Sequence, residues 1–185
     1  ELKSTMSQEQ STYVSGASES AHNTNGQYPH TTQVAVPTLA ALYSTLNQQP
    51  VCNLFAANDL GNAEAVYSAF GTHFLYCESL GWLFYTGSHW EREGAALQVQ
   101  RAVTKTLDVR HRHAEQYKNA DVEHSAKPQA TIIDHAIKLL KPMVLARVDD
   151  FDAAPDLLNV QNGILHLPKG ALEPHAPSQR FTYCL

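Results

Sequence analysis

The stretch from about Gly94 to Lys118 constrains this chain most. At 100° per residue, Ala96, Val99, Val103 and Leu107 fall within an arc of roughly 80°. Arg101, Lys105 and Arg112 fall within about 40° on the opposite side. The spacing predicts one long amphipathic helix with an apolar inner stripe and a basic outer stripe, and Lys118 stands beyond its end. Arg110 projects toward the apolar side, so the helix is expected to bend or end there. A helix this one-sided must bury its stripe against other elements.

The flanking segments provide them. "VPTLAALYSTLNQ" reads as a helix with Pro37 in its first turn. "NDLGNAEAVYSAFG" reads as a second, capped by Asn58 or Asp59 and ended by Gly71. The aromatic stretch that follows is split by "SLG" and "TG". It predicts three short antiparallel strands, at roughly 73–77, 81–85 and 88–91. Trp82, Phe84, Tyr85 and Trp90 give that small sheet its buried area. After the basic helix, another is expected from near Gln129 to near Arg147. Ile132, Ile133, Ala136, Ile137 and Leu140 share its face, and Pro142 kinks or restarts it. "DDFDAAPD" forms the turn out.

The chain finishes on "DLLNVQNGILHLPKGALEPH". Gly163, or Asn162, suits a turn with positive φ, and Ile164–Leu167 and Ala171–Glu173 flank the Pro168-Lys169-Gly170 turn as two strands. An isolated hairpin is marginal in water, so Ile164 and Leu167 are expected to be packed. The fold class expected is α+β and mainly α-helical, with a small three-stranded antiparallel sheet and a C-terminal β-hairpin.

Composition divides the 185 residues. Residues 1–33 are rich in Ser, Thr, Gln and Asn and too poor in apolar residues to offset the entropy of ordering. They read as a polar flexible linker, and residues 34–185 as the folded domain. The net charge of −5 argues against a surface coated for nucleic acid. That charge is uneven, however: residues 58–97 balance to −4 and residues 98–148 to +4. Three cysteines with wide spacing, Cys52, Cys77 and Cys184, suit a reduced, intracellular protein, and Cys52 and Cys184 read as packing residues. No apolar run approaches the roughly 20 residues a membrane-spanning helix needs. The first residue, Glu1, and the apolar run-off at "FTYCL" read as a piece of a longer protein.

Catalytic signatures are missing from the sequence. There is no phosphate-cradling Gly-x-x-x-x-Gly-Lys-Ser/Thr loop, no Gly-x-Ser-x-Gly, no His-Glu-x-x-His and no zinc-spaced cysteine pair. His111 and His113 point about 200° apart on a helix and do not share a metal easily. Asp149, Asp150, Asp152 and Asp156 cluster without the Gly-punctuated loop and glutamate of a calcium site, and read as a solvated turn. The basic stripe is the best electrostatic feature, suited either to a phosphate backbone or to plain solvent. Trp82 and Trp90 are suited to base stacking in principle, and better suited to the sheet core.

Two blocks carry a resemblance. Residues 58–93 hold Asn58, Asp59, Gly61, Asn62 and Ala63, then Trp82, Tyr85, Gly87 and Trp90. Residues 151–185 hold Leu157, Leu158, Asn159, Asn162, Gly163, Leu165, Leu167, Gly170, Leu172, His175 and Pro177. Together they resemble the domain just upstream of the superfamily 3 helicase motor in phage and plasmid primase–helicases, to which a poxvirus primase–helicase domain is related. Lys169 stands where that pattern commonly has Thr. The resemblance implies a non-catalytic collar or linker domain over residues 34–185 that supports a hexameric ring and guides DNA to the motor. It implies ATP and Mg²⁺ in the parent protein and none here, neighbouring primase and helicase domains as partners, and a cytoplasmic location in a bacterial host. DNA contact would be weak, with single strands as one candidate form, and would run through Arg101, Lys105, Arg112 and Lys118. The alternative is a helical accessory domain of the primase that binds template or nucleotide, with the Asp149–Asp152 cluster on Mg²⁺. A free-standing metal enzyme is disfavoured, because the spacings assemble no ligand set.

Overall fold

Side chains cap the first two helices. The computed structural model describes residues 37–48 and 54–185. The linker expected over residues 1–33 and the loop residue Cys52 lie outside them. Helix α1 is Leu39–Thr45 and runs into a 3-10 turn at Leu46–Gln48. Its cap is Thr38, whose hydroxyl accepts from the Ala41 N–H at 3.2 Å, so Pro37 stands before the helix rather than in its first turn. Helix α2, Asp59–Phe70, is capped by Asn58, which accepts from the Gly61 N–H at 2.9 Å. Gly71 ends it.

Strands β1 (Phe74–Cys77), β2 (Gly81–Tyr85) and β3 (Trp90–Glu91) form an antiparallel sheet in that order. Phe74 pairs with Phe84, Tyr76 with Trp82, Leu75 with Leu83 and Tyr85 with Trp90. Alternation sends these pairs to opposite faces. Phe74, Tyr76, Trp82 and Phe84 pack into the helical core, while Leu75, Cys77, Leu83, Tyr85 and Trp90 pack with Ala146 and Phe151. The sheet is therefore apolar on both sides, which is why so short a segment carries so many aromatics.

Helix α3, Ala95–Gln116, starts after Gly94 at φ 71 and buries Val99, Ala102, Val103, Thr106 and Leu107. Ala95 rather than Ala96 is buried at its first turn, because the buried face also takes in Ala102 and Thr106 and so is centred nearer Ala95. Arg110 neither bends nor ends the helix. It is wholly buried, and its guanidinium donates to the Phe55 carbonyl at 2.9 Å and to that of Ala56. A short helix α4, Ala120–Ser125, was not expected; Asn119 caps it, with Asp121 and Glu123 in its first turn.

Helix α5 is Ala130–Met143. It ends at Met143 rather than near Arg147, one residue after Pro142, which has no N–H for the helical ladder. The freed segment extends and bridges β1 in parallel: Tyr76 N–H donates to Val144 O at 2.9 Å, and Ala146 N–H to Tyr76 O at 2.8 Å. A 3-10 turn, Val148–Asp150, leads to the second sheet.

That second sheet has three strands, β4 (Leu157–Val160), β5 (Gly163–His166) and β6 (Ala171–Glu173), in sequence order and antiparallel. The hairpin read from the sequence is its β5–β6 half. Ile164 is buried as expected, but Leu167 is 53% exposed. Strand alternation puts Leu167 on the face opposite Ile164. Gly163 and not Asn162 takes the positive φ, 147, and Gly170 has φ 61. No helix among the described residues is long and apolar enough to cross a membrane.

Candidate nucleic-acid interface and its scaffold

The first block is built around a close backbone approach. A Cβ at Gly61 would meet the Ala56 carbonyl oxygen, with Ala56 N at 2.7 Å and Ala56 C at 2.8 Å. Glycine thus lets Ala56 lie on the first turn of α2, where Arg110 also holds the Ala56 carbonyl. The neighbouring Asn62 is fully buried and donates from Nδ2 to Ser125 O at 2.8 Å, tying α2 to α4. Asp59 pairs with His135 of α5 at 2.9 Å. Gly87, at φ 110, sits in the β2–β3 turn, and its carbonyl accepts from the Tyr85 hydroxyl at 2.9 Å.

The second block is bolted to the first. Asn159 of β4 is fully buried. Its Nδ2 donates to Ser88 O at 3.0 Å and Tyr183 O at 2.6 Å, while its Oδ1 faces His175 Nδ1 at 3.0 Å. Trp90 is 3% exposed, its indole N–H donates to Pro177 O at 2.9 Å and its backbone N–H to Phe181 O at 2.7 Å. Leu185 N–H donates to Asn159 O, and Gln161 N–H to Leu185 O, so the last residue lines the β4 edge. Trp82 is half-buried against Tyr76, ring centroids 5.1 Å apart. Asn159 and Trp90 spend their polar side-chain atoms on the fold.

The acidic turn is also engaged. Asp150 pairs with Arg180, and Asp152 accepts from the Thr182 N–H at 2.9 Å and from its hydroxyl. The Arg147 N–H, and behind it the Arg180 guanidinium, hold the Asp150 carboxyl below its ordinary value. Among the described residues no three His, Cys, Asp or Glu side chains are arranged to hold a metal ion. Cys77 is buried and Cys184 half-buried, both as free thiols.

The basic stripe lies on the outer face of α3. Arg101 is exposed and has no ion pair among the described residues. Lys105 and Arg112 share one carboxylate: Asp108 Oδ2 stands 3.5 Å from Lys105 Nζ and 3.1 Å from an Arg112 nitrogen, which also donates to Asn47 Oδ1 at 3.2 Å. Such exposed pairs contribute little to stability and leave the cations near solvent. Lys118 is set apart from the stripe. It sits past the end of α3 at φ 55, in the turn into α4.

Beside the stripe, α1 and α3 enclose an open groove of about 710 Å³. Tyr43, Leu97 and Pro128 line it, with Arg101, Lys105 and Asp108 at its rim. Burial raises the Tyr43 phenol above its ordinary value, and the Arg101 charge pulls the other way. Sequence reasoning does not find this groove, because Tyr43 lies on a different helix from the stripe and no spacing links the two.

A family model described as D5 N terminal like matches residues 63–185. That span takes in the aromatic sheet, the basic helix and the whole second block, and starts just after Asn62. No curated protein matches the chain.

Proposed function

We propose, because the chain belongs to the D5 N terminal like family, the N-terminal domain of D5-like primase–helicase proteins, that it is a non-catalytic collar and linker module in DNA replication. In this reading it supports assembly of a hexameric ring and guides DNA toward a superfamily 3 motor of phage or plasmid type. ATP and Mg²⁺ act in that motor. The observation that carries the DNA part is the basic stripe on a single 22-residue helix: Arg101 without an ion pair among the described residues, and Lys105 and Arg112 sharing Asp108. Three cations on one face of a helix, two of them sharing one carboxylate, suit contact with successive phosphates. The buried Arg110 anchors that helix to the Phe55 and Ala56 carbonyls.

The test is a DNA titration across salt concentrations. Neutralising Arg101, Lys105 and Arg112 together lowers affinity and reduces the salt slope by about one unit for each phosphate no longer neutralised. Unchanged binding at low salt overturns the DNA part. For the ring part, removing this domain from a full primase–helicase impairs hexamer formation in sedimentation. Normal rings without it overturn that part.

A further inference from the structure

The groove beside the stripe has a shape and a chemistry that a phosphate-tracking helix does not need. Its volume, about 710 Å³, lies within the usual range for pockets that hold a small molecule, roughly 300–1,000 Å³. Its walls are apolar and one is an aromatic ring. Tyr43 is held from behind by the wholly buried Phe70, ring centroids 5.2 Å apart, and its hydroxyl donates to Gln98 O at 3.5 Å. Both contacts anchor the ring to the fold. Arg101, on the rim, has no ion pair among the described residues. Asp108, the acid on the same rim, is covered by Lys105 and Arg112.

We propose that this groove receives one base of a single-stranded nucleic acid, stacked on Tyr43, while Arg101 meets the adjoining phosphate. The proposal rests on the DNA reading above and names its substrate as single-stranded. A base in a duplex is already stacked and would have to be flipped out to enter. A base in a single strand has a free π-face, and stacking on an aromatic side chain tolerates any sequence. The acidic side chains of a peptide would meet Arg101 but bring no flat ring to Tyr43.

The experiment compares two labelled strands of equal length bound to the full chain, one a normal oligothymidylate and one abasic at every position. Both are titrated at several salt concentrations. For the unaltered chain the normal strand binds roughly five- to 150-fold more tightly than the abasic strand, the range for one stacked base. Tyr43→Leu removes that difference and leaves the salt slope in place, whereas Tyr43→Phe keeps the difference. Leu97→Trp, at a half-exposed position that tolerates a larger side chain, fills the groove and also removes it. Equal binding of the two strands by the unaltered chain, with Arg101→Ala still weakening both, overturns the base slot alone. No binding of either strand overturns the DNA reading and the slot with it. Under that outcome, a change in sedimentation caused by Leu97→Trp would assign the groove to a protein contact instead.

Discussion

Asn159, buried on β4, donates to the Ser88 carbonyl at 3.0 Å across 71 residues of chain. With Tyr183 O and His175 as its other partners, one side chain joins the turn of the first sheet, the second sheet and the C-terminal segment. Asn159→Ala leaves two carbonyls and an imidazole without that partner. Each buried group left unsatisfied costs about 1–3 kcal/mol. A fall of at least about 2 kcal/mol in urea unfolding is expected. Asn159→Asp fares no better at pH 7, because a carboxylate offers no N–H to either carbonyl. A loss of under about 0.5 kcal/mol in Asn159→Ala would refute the joint.

Gly61 and Arg110 both abut the Ala56 carbonyl oxygen. Gly61→Ala drives a methyl into the Ala56 backbone and costs about 1–3 kcal/mol, the range for overpacking. Once Ala56 is displaced, Arg110 has less to hold. Gly61→Ala and Arg110→Met are therefore expected to be non-additive, with a coupling of about 0.5–3 kcal/mol in a double-mutant cycle. Simple additivity would mean that the two contacts are independent.

Two glycines of the second sheet separate crowding from backbone strain. A Cβ at Gly163 would meet Glu173 O and lie 3.2 Å from the Leu172 side chain, whereas Gly170 has open space and only its φ of 61. Gly170→Ala costs roughly 1–2 kcal/mol, the cost of left-handed backbone for an L-residue. Gly163→Ala costs more, because β5 and β6 must part. Thermal unfolding of both variants checks the order.

Asp108 is the one carboxylate set into the basic stripe. Asp108→Asn releases Lys105 and Arg112. DNA affinity at low salt is expected to rise, by at most about fivefold, the worth of an exposed pair. A fall in affinity would show that Asp108 positions the cations rather than competing for them.

His73 links α1 to the core. It is 1% exposed, with Nε2 bonded to Pro37 O and Nδ1 2.9 Å from the Thr72 hydroxyl. Burial pushes its pKa below the ordinary 6.5, against the pull of the Pro37 carbonyl. The unfolded chain then takes up a proton before the folded chain does. Its contribution to stability is full above pH 6.5 and is lost as pH falls from there through the lowered folded value. Urea midpoints of the native chain and His73→Gln, compared at about pH 7.5 and about pH 5.5, check this: the native chain loses more on acidification.

Local chemistry wrote much of the fold into the sequence. Asn58 and Gly71 bound α2, "SLG" and "TG" divide the first sheet, and the 3.6-residue period of Val99, Val103 and Leu107 marks the buried face of α3. Helix α4 is legible too, in Asn119 followed by Asp121 and Glu123, but at six residues its signal is easily lost. The basic stripe is readable because Arg101, Lys105 and Arg112 share one helix, and a helix converts spacing into direction.

What the sequence could not decide depends on partners far along the chain. Arg110 looks like a break in the apolar stripe, because nothing local shows that the carbonyls of Phe55 and Ala56 come to meet it. Leu145 and Ala146 look like the end of a helix until β1 offers them an edge to pair with. β4 escapes notice for the same reason: strand pairing is non-local, and a four-residue run becomes a strand only when β5 lies beside it. The groove between Tyr43 and Arg101 is likewise a product of two helices meeting. The sequence by itself determined the caps, turns, helical faces and the charge they carry. Tertiary structure decided which buried polar groups are satisfied, and which surfaces lie side by side to form a site.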